Sequence, residues 1–274
     1  MKSIYNVDSW LESGGGFCHI FTIVGVTVHS LHPDWMHAKH LGTDKVLCGS
    51  VMYLLVYFVL SGTPEENLMT VWLDVLYIYK RDGVSNKFAQ MKTSMFNTKS
   101  SPKLKGKAAE GKDMVPVLHK VWLKYFNPAL EVHRNIEIVL RTGAHMDKLV
   151  EQNRHLFALP PREAADLIAT GFAHLGTFWK LRQHFAEEDY PLFQLTSKGH
   201  YLMHMCLLSS SINPALAWAY TGEDFMGKCR DLALSCAKGS NMWAVSNKMS
   251  NKWLIAMHLT WSEPSLWFKY EHLE

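Results

Sequence analysis

The segment from residue 46 to residue 63 constrains the fold more than any other part of this chain. Its sequence, VLCGSVMYLLVYFVLSGT, carries no charge, and its length approaches that of a membrane span. Glycine and serine interrupt it near both ends, which leaves a strongly apolar run only from Val51 to Leu60. A run of that length fits a helix buried in a protein core better than a helix in a bilayer. The sequence therefore predicts a chain built around this helix, with no membrane partner.

Most of the other residues follow helical patterns, and strand-forming patterns are confined to one place. The β-branched and aromatic residues of FCHIFTIVGVTVHS, divided by Gly25, predict two short strands at 18–24 and 26–30. The fold class expected is mainly α with a small β element. Helices are expected over 44–61, 64–81, 114–126, 128–141, 144–157, 161–187, 197–211, 221–238 and 242–259.

A basic segment divides the predicted helices. Residues 80–113 hold nine Lys or Arg against three acids, with glycine, serine and proline between them. This composition predicts a linker over 81–113, between a first region at 1–80 and a last region at 114–274. A basic strip of this kind is suited to contacts with DNA phosphates, and a solvated loop is the alternative. The candidate DNA-binding residues are Lys99, Lys103, Lys105, Lys107 and Lys112.

The overall charge and the cysteines narrow the protein class. About half of the residues are apolar (48%) and the formal net charge is only +3, so a nucleic acid would have to bind to a local patch. Five cysteines form no CxxC pair, which favours a reducing compartment. The N-terminal sequence lacks the apolar stretch of a signal peptide. We therefore expect an intracellular protein, either nuclear or cytoplasmic. The sequence does not decide whether the protein is a monomer or a homo-oligomer.

Histidines and an aspartate cluster in VHSLHPDWMHAKHLG, where four imidazoles accompany Asp34. The set could bind zinc, although its spacing matches no zinc signature. Asp34 alone stands between a predicted strand and a helix, where open α/β sheets place ligands. On position alone, capping of the following helix is the favoured role for Asp34.

Two later segments carry further candidates. His200 and His204 in KGHYLMHMC lie four residues apart, so they share one face of a helix and could chelate a metal. Glu223 and Asp224 begin a predicted helix after an aromatic cluster. Acids in a first turn usually stabilise the helix dipole, and they are also suitable metal ligands.

Three segments in this order resemble cut-and-paste DNA transposases with an RNase H-like catalytic domain, of the CACTA-related type. PDWMHAKHLG resembles their P-D-x-M-H-x-x-x-L-G element, KGHYLMHM their N/K-x-H-x-L-x-H helix, and NPALAWAYTGEDFMGK their G-P-x-x-x-W-x-F-x-x-E-x-x-x-G element. Other stretches, such as PKLKGKAAE, are similar to transposon-derived reading frames of dinoflagellates. The resemblance covers about 190 residues of the C-terminal portion of such enzymes.

The resemblance implies a site and a fold. Asp34 and Glu223 would be catalytic acids that hold Mg²⁺ or Mn²⁺, with Asp224 as a further ligand and His37, His200 and His204 as accessory residues. The fold implied is a truncated RNase H-like core with a long helical insertion. The family's first acid, on an early strand, has no counterpart here, because only Asp8 and Glu12 precede Asp34.

The sequence therefore leads to a transposase-derived, nucleic-acid-associated protein that has lost part of a two-metal strand-transferase site. One alternative is an active nuclease whose third acid is Asp8, Asp224 or a residue of a partner chain. Another is a helical protein-interaction module without enzymatic activity. If the resemblance holds, the carboxylates of Asp34 and Glu223 lie within about 8 Å of each other, with His37 or His200 in the same cleft.

Overall fold

Eight helices account for most of the residues that the structure, a computed structural model, describes. These residues are 32–97, 101–237, 239 and 241–262, and they contain no strand. The mainly helical class is therefore confirmed for this part of the chain, whereas the predicted strands at 18–24 and 26–30 lie outside it. The helices are α1 (Met36–Val59), α2 (Pro64–Asp82), α3 (Ala108–Tyr125), α4 (Glu131–Gln152), α5 (Pro161–Glu187), α6 (Ser197–Leu208), α7 (Tyr220–Ala237) and α8 (Met242–Ser262).

Helix α1 contains the apolar segment that the sequence singled out, and it begins earlier than the expected residue 44. Its middle, Asp44–Leu54, is α-helical, and the flanking turns Met36–Thr43 and Leu55–Val59 are wider π-helical turns. By length and composition α1 could cross a membrane, but 72% of its most apolar stretch is buried inside the protein. Helices α2, α3 and α6 all pack against it. Most residues of α1 are buried, as they are in a helix of a protein core.

Helix α2 begins where its sequence signals place it. Thr63 Oγ1 accepts a hydrogen bond from the Glu66 amide at 3.3 Å, and the Glu66 carboxylate accepts one from the Thr63 amide at 2.9 Å. This reciprocal capping box, with Pro64 in the first turn, satisfies two amides that have no partner inside the helix. Gly83 ends α2 at φ +62°, a conformation that glycine adopts without strain.

Helix α4 corrects one prediction, because the sequence suggested two helices, 128–141 and 144–157, with a break near Gly143. The structure has one continuous helix, Glu131–Gln152. A Cβ at Gly143 would lie 3.3 Å from Val115 on α3 and 3.4 Å from the His174 ring on α5. Glycine is present there because three helices approach closely, so it does not mark a turn.

The basic segment is only partly a loop. Helix α3 begins at Ala108, earlier than the expected residue 114, because Glu110 caps it by accepting a hydrogen bond from the Lys107 amide at 2.7 Å. Before α3, the chain crosses α1: the Leu104 amide donates to the Lys45 carbonyl at 2.9 Å. A Cβ at Gly49 would lie 2.6 Å from the Lys103 backbone, so only glycine permits this crossing.

The described residues divide into two compact units, the first ending at Ala219 and the second beginning at Tyr220, and the divisions expected near residues 80 and 113 fall inside the first. The first unit has one large apolar core and one smaller core. The large core includes Leu47, Leu118, Val139 and Phe178, all inaccessible to solvent. Burial of side chains of this size stabilises a fold by about 1.5–3 kcal/mol each. In the second unit, α7 packs on α8.

His174 on α5 is a polar residue buried inside the first unit. Its Nδ1 lies 3.1 Å from Thr142 Oγ1 and 3.1 Å from the Val139 carbonyl oxygen, and its ring is inaccessible to solvent. Burial, with a smaller contribution from the positive charge of Lys39, lowers the pKa of His174 to about 3. The folded protein therefore holds a neutral imidazole at this position.

We expect His174 to make folding sensitive to mild acid. The unfolded chain binds a proton at this residue near pH 6.5 and the folded protein does not, so its stabilising contribution is complete above pH 6.5 and declines towards pH 3. Between pH 7.5 and pH 5.0 the advantage of the wild type over His174→Gln in free energy of unfolding should shrink by about 2 kcal/mol. Urea denaturation of both proteins at the two pH values measures this. An equal difference at both would contradict a neutral buried imidazole.

Candidate functional site

Asp34 lies at the start of α1, and protein donors already occupy both of its carboxylate oxygens. Its Oδ1 accepts hydrogen bonds from the Met36 amide and the Ala219 amide, each at 3.0 Å. Its Oδ2 is hydrogen-bonded to His37 Nδ1. Asp34 therefore caps α1, as its position favoured, and it also fixes the chain at Ala219 against the start of that helix.

A cleft lies beside Asp34, between the start of α1 and the start of α6. Its volume is about 370 Å³. His37 is 43% exposed here, and Tyr201 is 48% exposed. We call this the Asp34 cleft, and it is lined by Pro33, Asp34, His37, Ala38, Ser197, Lys198 and Tyr201.

The other acids of the implied catalytic site belong to the second unit. Glu223 and Asp224 lie in the first turns of α7, and their side chains are outside the described part of the structure. The predicted separation between Asp34 and Glu223 therefore stays a prediction. The accessory pair His200 and His204 is on α6, where the two Nε2 atoms lie 2.9 Å apart.

The five lysines predicted to bind DNA do not share one environment. Lys112 on α3 pairs with Glu151 at 3.1 Å and lies over the Trp218 ring at 5.4 Å. Lys105 donates to the Ser94 carbonyl at 3.2 Å, and Lys107 is exposed at the start of α3. Lys99 lies outside the described residues. Lys103 lines a cavity together with two other lysines, Lys45 and Lys198.

That cavity is a second cleft, adjacent to the first, with a volume of about 290 Å³. Three half-buried lysines from three segments reach it: Lys45 from α1, Lys103 from the crossing loop and Lys198 from α6. No carboxylate lines it, and no described residue forms an ion pair with any of the three. We call this the lysine cleft, and its other lining residues are Leu41, Gly42, Val46, Thr196 and Ser197.

Close packing at Gly42 sets the position of Lys198. A Cβ at Gly42 would lie 2.9 Å from Lys198 Cδ, and Lys198 Nζ donates to the Leu41 carbonyl at 3.0 Å. Partial burial, and then the charges of Lys45 and Lys103, lower the pKa of Lys198, while Asp34 opposes this. Lys45 and Lys103 thus repel the Lys198 ammonium across this cleft. An anion in this cleft would relieve that repulsion.

A cluster of buried charges in the first unit is made of Lys39, His40, Asp44 and Asp147, and we call it the buried charge cluster. Lys39 Nζ lies 2.8 Å from Asp44 Oδ2 and 2.6 Å from Asp147 Oδ2. Asp147 Oδ1 is 2.9 Å from His40 Nε2 and accepts a hydrogen bond from Trp35 Nε1 at 3.2 Å. The cluster joins α1 to α4 through charge-assisted hydrogen bonds.

The pKa values in the buried charge cluster depend on competition between burial and pairing. Burial alone would lower the pKa of Lys39, but Asp147 and Asp44 more than offset this and raise it to about 12. Burial raises the pKa of Asp44 to about 6, although Lys39 opposes it. Burial would also raise the pKa of Asp147, yet Lys39 and His40 hold it below its usual range. Lys39 and Asp147 therefore form the charged pair at the centre.

His40, Asp44 and Asp147 each offer a ligand atom, and these atoms lie within 4.8 Å of one another, as in a metal site. The Lys39 ammonium already contacts both carboxylates and supplies the positive charge that a cation would bring. We therefore interpret the cluster as an internal ion pair. The Mg²⁺ or Mn²⁺ implied by the resemblance concerns Asp34 and Glu223 and stays a prediction.

The candidate site residues predicted from the sequence do not include Lys39, Asp147, Lys45 or Lys198. Lys39 and Asp147 are 108 positions apart. No local pattern signals such pairs, because each residue alone resembles an ordinary surface charge on a helix.

Comparison of this chain with protein-family models, with curated proteins and with solved structures gives no match. Its function must therefore be argued from the two clefts and the charges around them.

Replacing Lys39 should destabilise the protein strongly. In Lys39→Met the Asp44 and Asp147 carboxylates would face each other inside the protein without a cation, so we expect a loss of about 3–5 kcal/mol in the free energy of unfolding. Lys112→Met is the control, because its pair with Glu151 is partly exposed and its loss should cost less than about 1 kcal/mol. Chemical denaturation measures both. Similar small losses for the two variants would contradict the central role of Lys39.

Proposed function

We propose that this protein associates with nucleic acid by binding the phosphodiester backbone in the lysine cleft, and that it does not cut the strand itself. It would be a transposase-derived protein with an incomplete two-metal site. The RNase H-like core implied by the resemblance belongs to this proposal, since its expected strands lie on residues outside the described part.

The observation that carries the proposal is the convergence of Lys45, Lys103 and Lys198 without a counter-charge. Most surface lysines of a near-neutral protein are exposed or paired with acids, as Lys112 and Lys124 are here. Three half-buried lysines around one cavity have an unfavourable mutual energy in the free protein. Phosphate oxygens would turn that repulsion into attraction and accept charge-assisted hydrogen bonds.

The start of α6 adds to the positive potential of the same cleft. Thr196 and Ser197 line it at the N-terminus of this helix, where backbone amides and the helix dipole favour an anion. The Thr196 hydroxyl accepts a hydrogen bond from the Lys198 amide at 3.3 Å. The two hydroxyls and the three ammonium groups are donors of the kind that contact phosphates without reading base sequence.

The state of Asp34 supports binding without cutting. A carboxylate that ligates a catalytic metal directs oxygen lone pairs at the ion, whereas the Asp34 oxygens accept hydrogen bonds from two amides and contact His37. Calorimetric titration with Mg²⁺ and Mn²⁺ tests this part of the proposal, and tight binding that Asp34→Asn abolishes would contradict it.

We expect backbone binding to depend on the three lysines and on salt. The variant Lys45→Gln/Lys103→Gln/Lys198→Gln should bind a DNA duplex at least about tenfold more weakly at low salt. Its plot of log affinity against log salt should be less steep by about 0.9 for each phosphate that the variant no longer neutralises. Fluorescence anisotropy over a salt series measures both quantities.

The matched control is Lys87→Gln/Lys148→Gln/Lys180→Gln, which removes the same charge from exposed positions elsewhere. Its affinity and salt dependence should stay close to the wild type. If both variants lose affinity equally, binding follows net charge and the lysine cleft is not the site. If neither loses affinity, the proposal is wrong.

One observation favours a helical protein-interaction module as a second candidate function. Helix α2 exposes Met69, Leu73, Leu76 and Tyr77, which share one face and are between 41% and 64% accessible. Exposed apolar residues at this spacing are typical of a helix that packs on a partner. Leu73→Glu should then abolish self-association, measured by sedimentation, and leave DNA binding intact. A monomeric wild type that binds DNA would favour the first function.

A further inference from the structure

The two clefts are neighbours with different chemistry. Ser197 and Lys198, in the first turn of α6, line both of them. On one side the lysine cleft is cationic. On the other side the Asp34 cleft holds a carboxylate and the exposed ring of Tyr201. A ligand that spans both would need an anionic group joined to a neutral, flat group.

We infer that the two clefts together hold one unpaired nucleotide, with its phosphate among the lysines and its base against Tyr201. This inference rests on the proposed backbone binding and adds to it a preference for single strands. The charges that line the two clefts determine which cleft holds the phosphate and which holds the base. Asp34 repels a phosphate from its own cleft and leaves that cleft to the uncharged base.

The dimensions are consistent with this ligand. The clefts measure about 290 Å³ and 370 Å³, close to the lower end of the range of cavities that hold small molecules. Lys198 and Tyr201 are three residues apart on α6, so they lie on the same face with a rise of about 4.5 Å between them.

A paired nucleotide does not fit the same site. In a duplex both faces of each base are covered by stacking, so the base could reach Tyr201 only if it left the helix. An unpaired base has a free face, and stacking on an aromatic side chain is a common way to bind single strands with little sequence preference. Backbone contacts alone would not distinguish the two forms of DNA.

The test compares Tyr201→Ala with the wild type on three ligands at low salt: a short thymidine strand, an abasic strand of equal length and a blunt-ended duplex. Tyr201→Ala should bind the thymidine strand about five- to 150-fold more weakly, the range for loss of one stacked base. Its binding to the abasic strand and to the duplex should be unchanged. Tyr201→Phe should behave as the wild type, and Tyr77→Ala is the control for an exposed aromatic residue on α2.

The abasic strand keeps the test valid if Tyr201→Ala folds poorly, because it removes the base without changing the protein. The wild type should then prefer the thymidine strand to the abasic strand by a similar factor. Equal affinity of the wild type for those two strands would overturn the inference. So would an equal loss by Tyr201→Ala on all three ligands.

The lysine variants separate this inference from the proposed function. If the three-lysine variant loses affinity for every ligand while Tyr201→Ala has no selective effect, backbone binding stands and the nucleotide site is wrong. If the three-lysine variant binds as the wild type does, both are wrong.

Discussion

The contact of the Lys39 ammonium with two buried carboxylates is the interaction on which the rest of this structure depends. It joins α1 to α4 at the place where the wide turns of α1 give way to regular helix. Two charges taken out of water seldom add much net stability, because loss of hydration offsets their attraction. Their effect is on geometry, since any other rotation of α1 would leave a charge buried without a partner. The ion pair therefore selects one orientation of the most apolar helix.

That orientation determines what α1 presents on its other sides. With Lys39 directed inward, Gly42 faces α6 and Gly49 faces the loop that crosses at Lys103. The contact at Gly49 excludes even a methyl group, and a methyl group at Gly42 would displace the Lys198 side chain. These two contacts bring the N-terminus of α6 and the crossing loop to the part of α1 that carries Lys45. The lysine cleft is thus a consequence of helix packing around a fixed α1, and its Lys198 ammonium is held by a hydrogen bond to the Leu41 carbonyl.

The same geometry gives Asp34 a structural role that accounts for its position in the sequence. An aspartate before a helix caps it, and here the cap also holds the chain at Ala219. In the site proposed above, this carboxylate directs charge rather than binding metal, because it keeps phosphate on the lysine side and leaves the neighbouring cleft to an uncharged group. The Asp34 cleft and the lysine cleft then form one binding surface, in which the lysine cleft holds phosphate and the Asp34 cleft holds the uncharged group.

Local signals in the sequence determined several elements. The capping box and proline of α2, the proline start of α5 at 161 and its end at 187, and the burial of the apolar segment in α1 were all predictable. Each of these depends on residues within a few turns of one another, where helix capping and periodicity act. Gly143 shows the limit, because it lies in the gap between the predicted helices 128–141 and 144–157 and is in fact a point of close contact between three helices.

Only the tertiary structure decided which charges are buried together and which converge at the surface. Lys39 meets Asp147 across 108 positions, and Lys45, Lys103 and Lys198 come from three separate segments. In the sequence each of these residues is one charge on a helix or in a loop, with nothing to distinguish it from the other lysines and acids. Their roles arise from packing, because the energy of a charge depends on its distance from other charges and from water, and the sequence alone does not specify those distances.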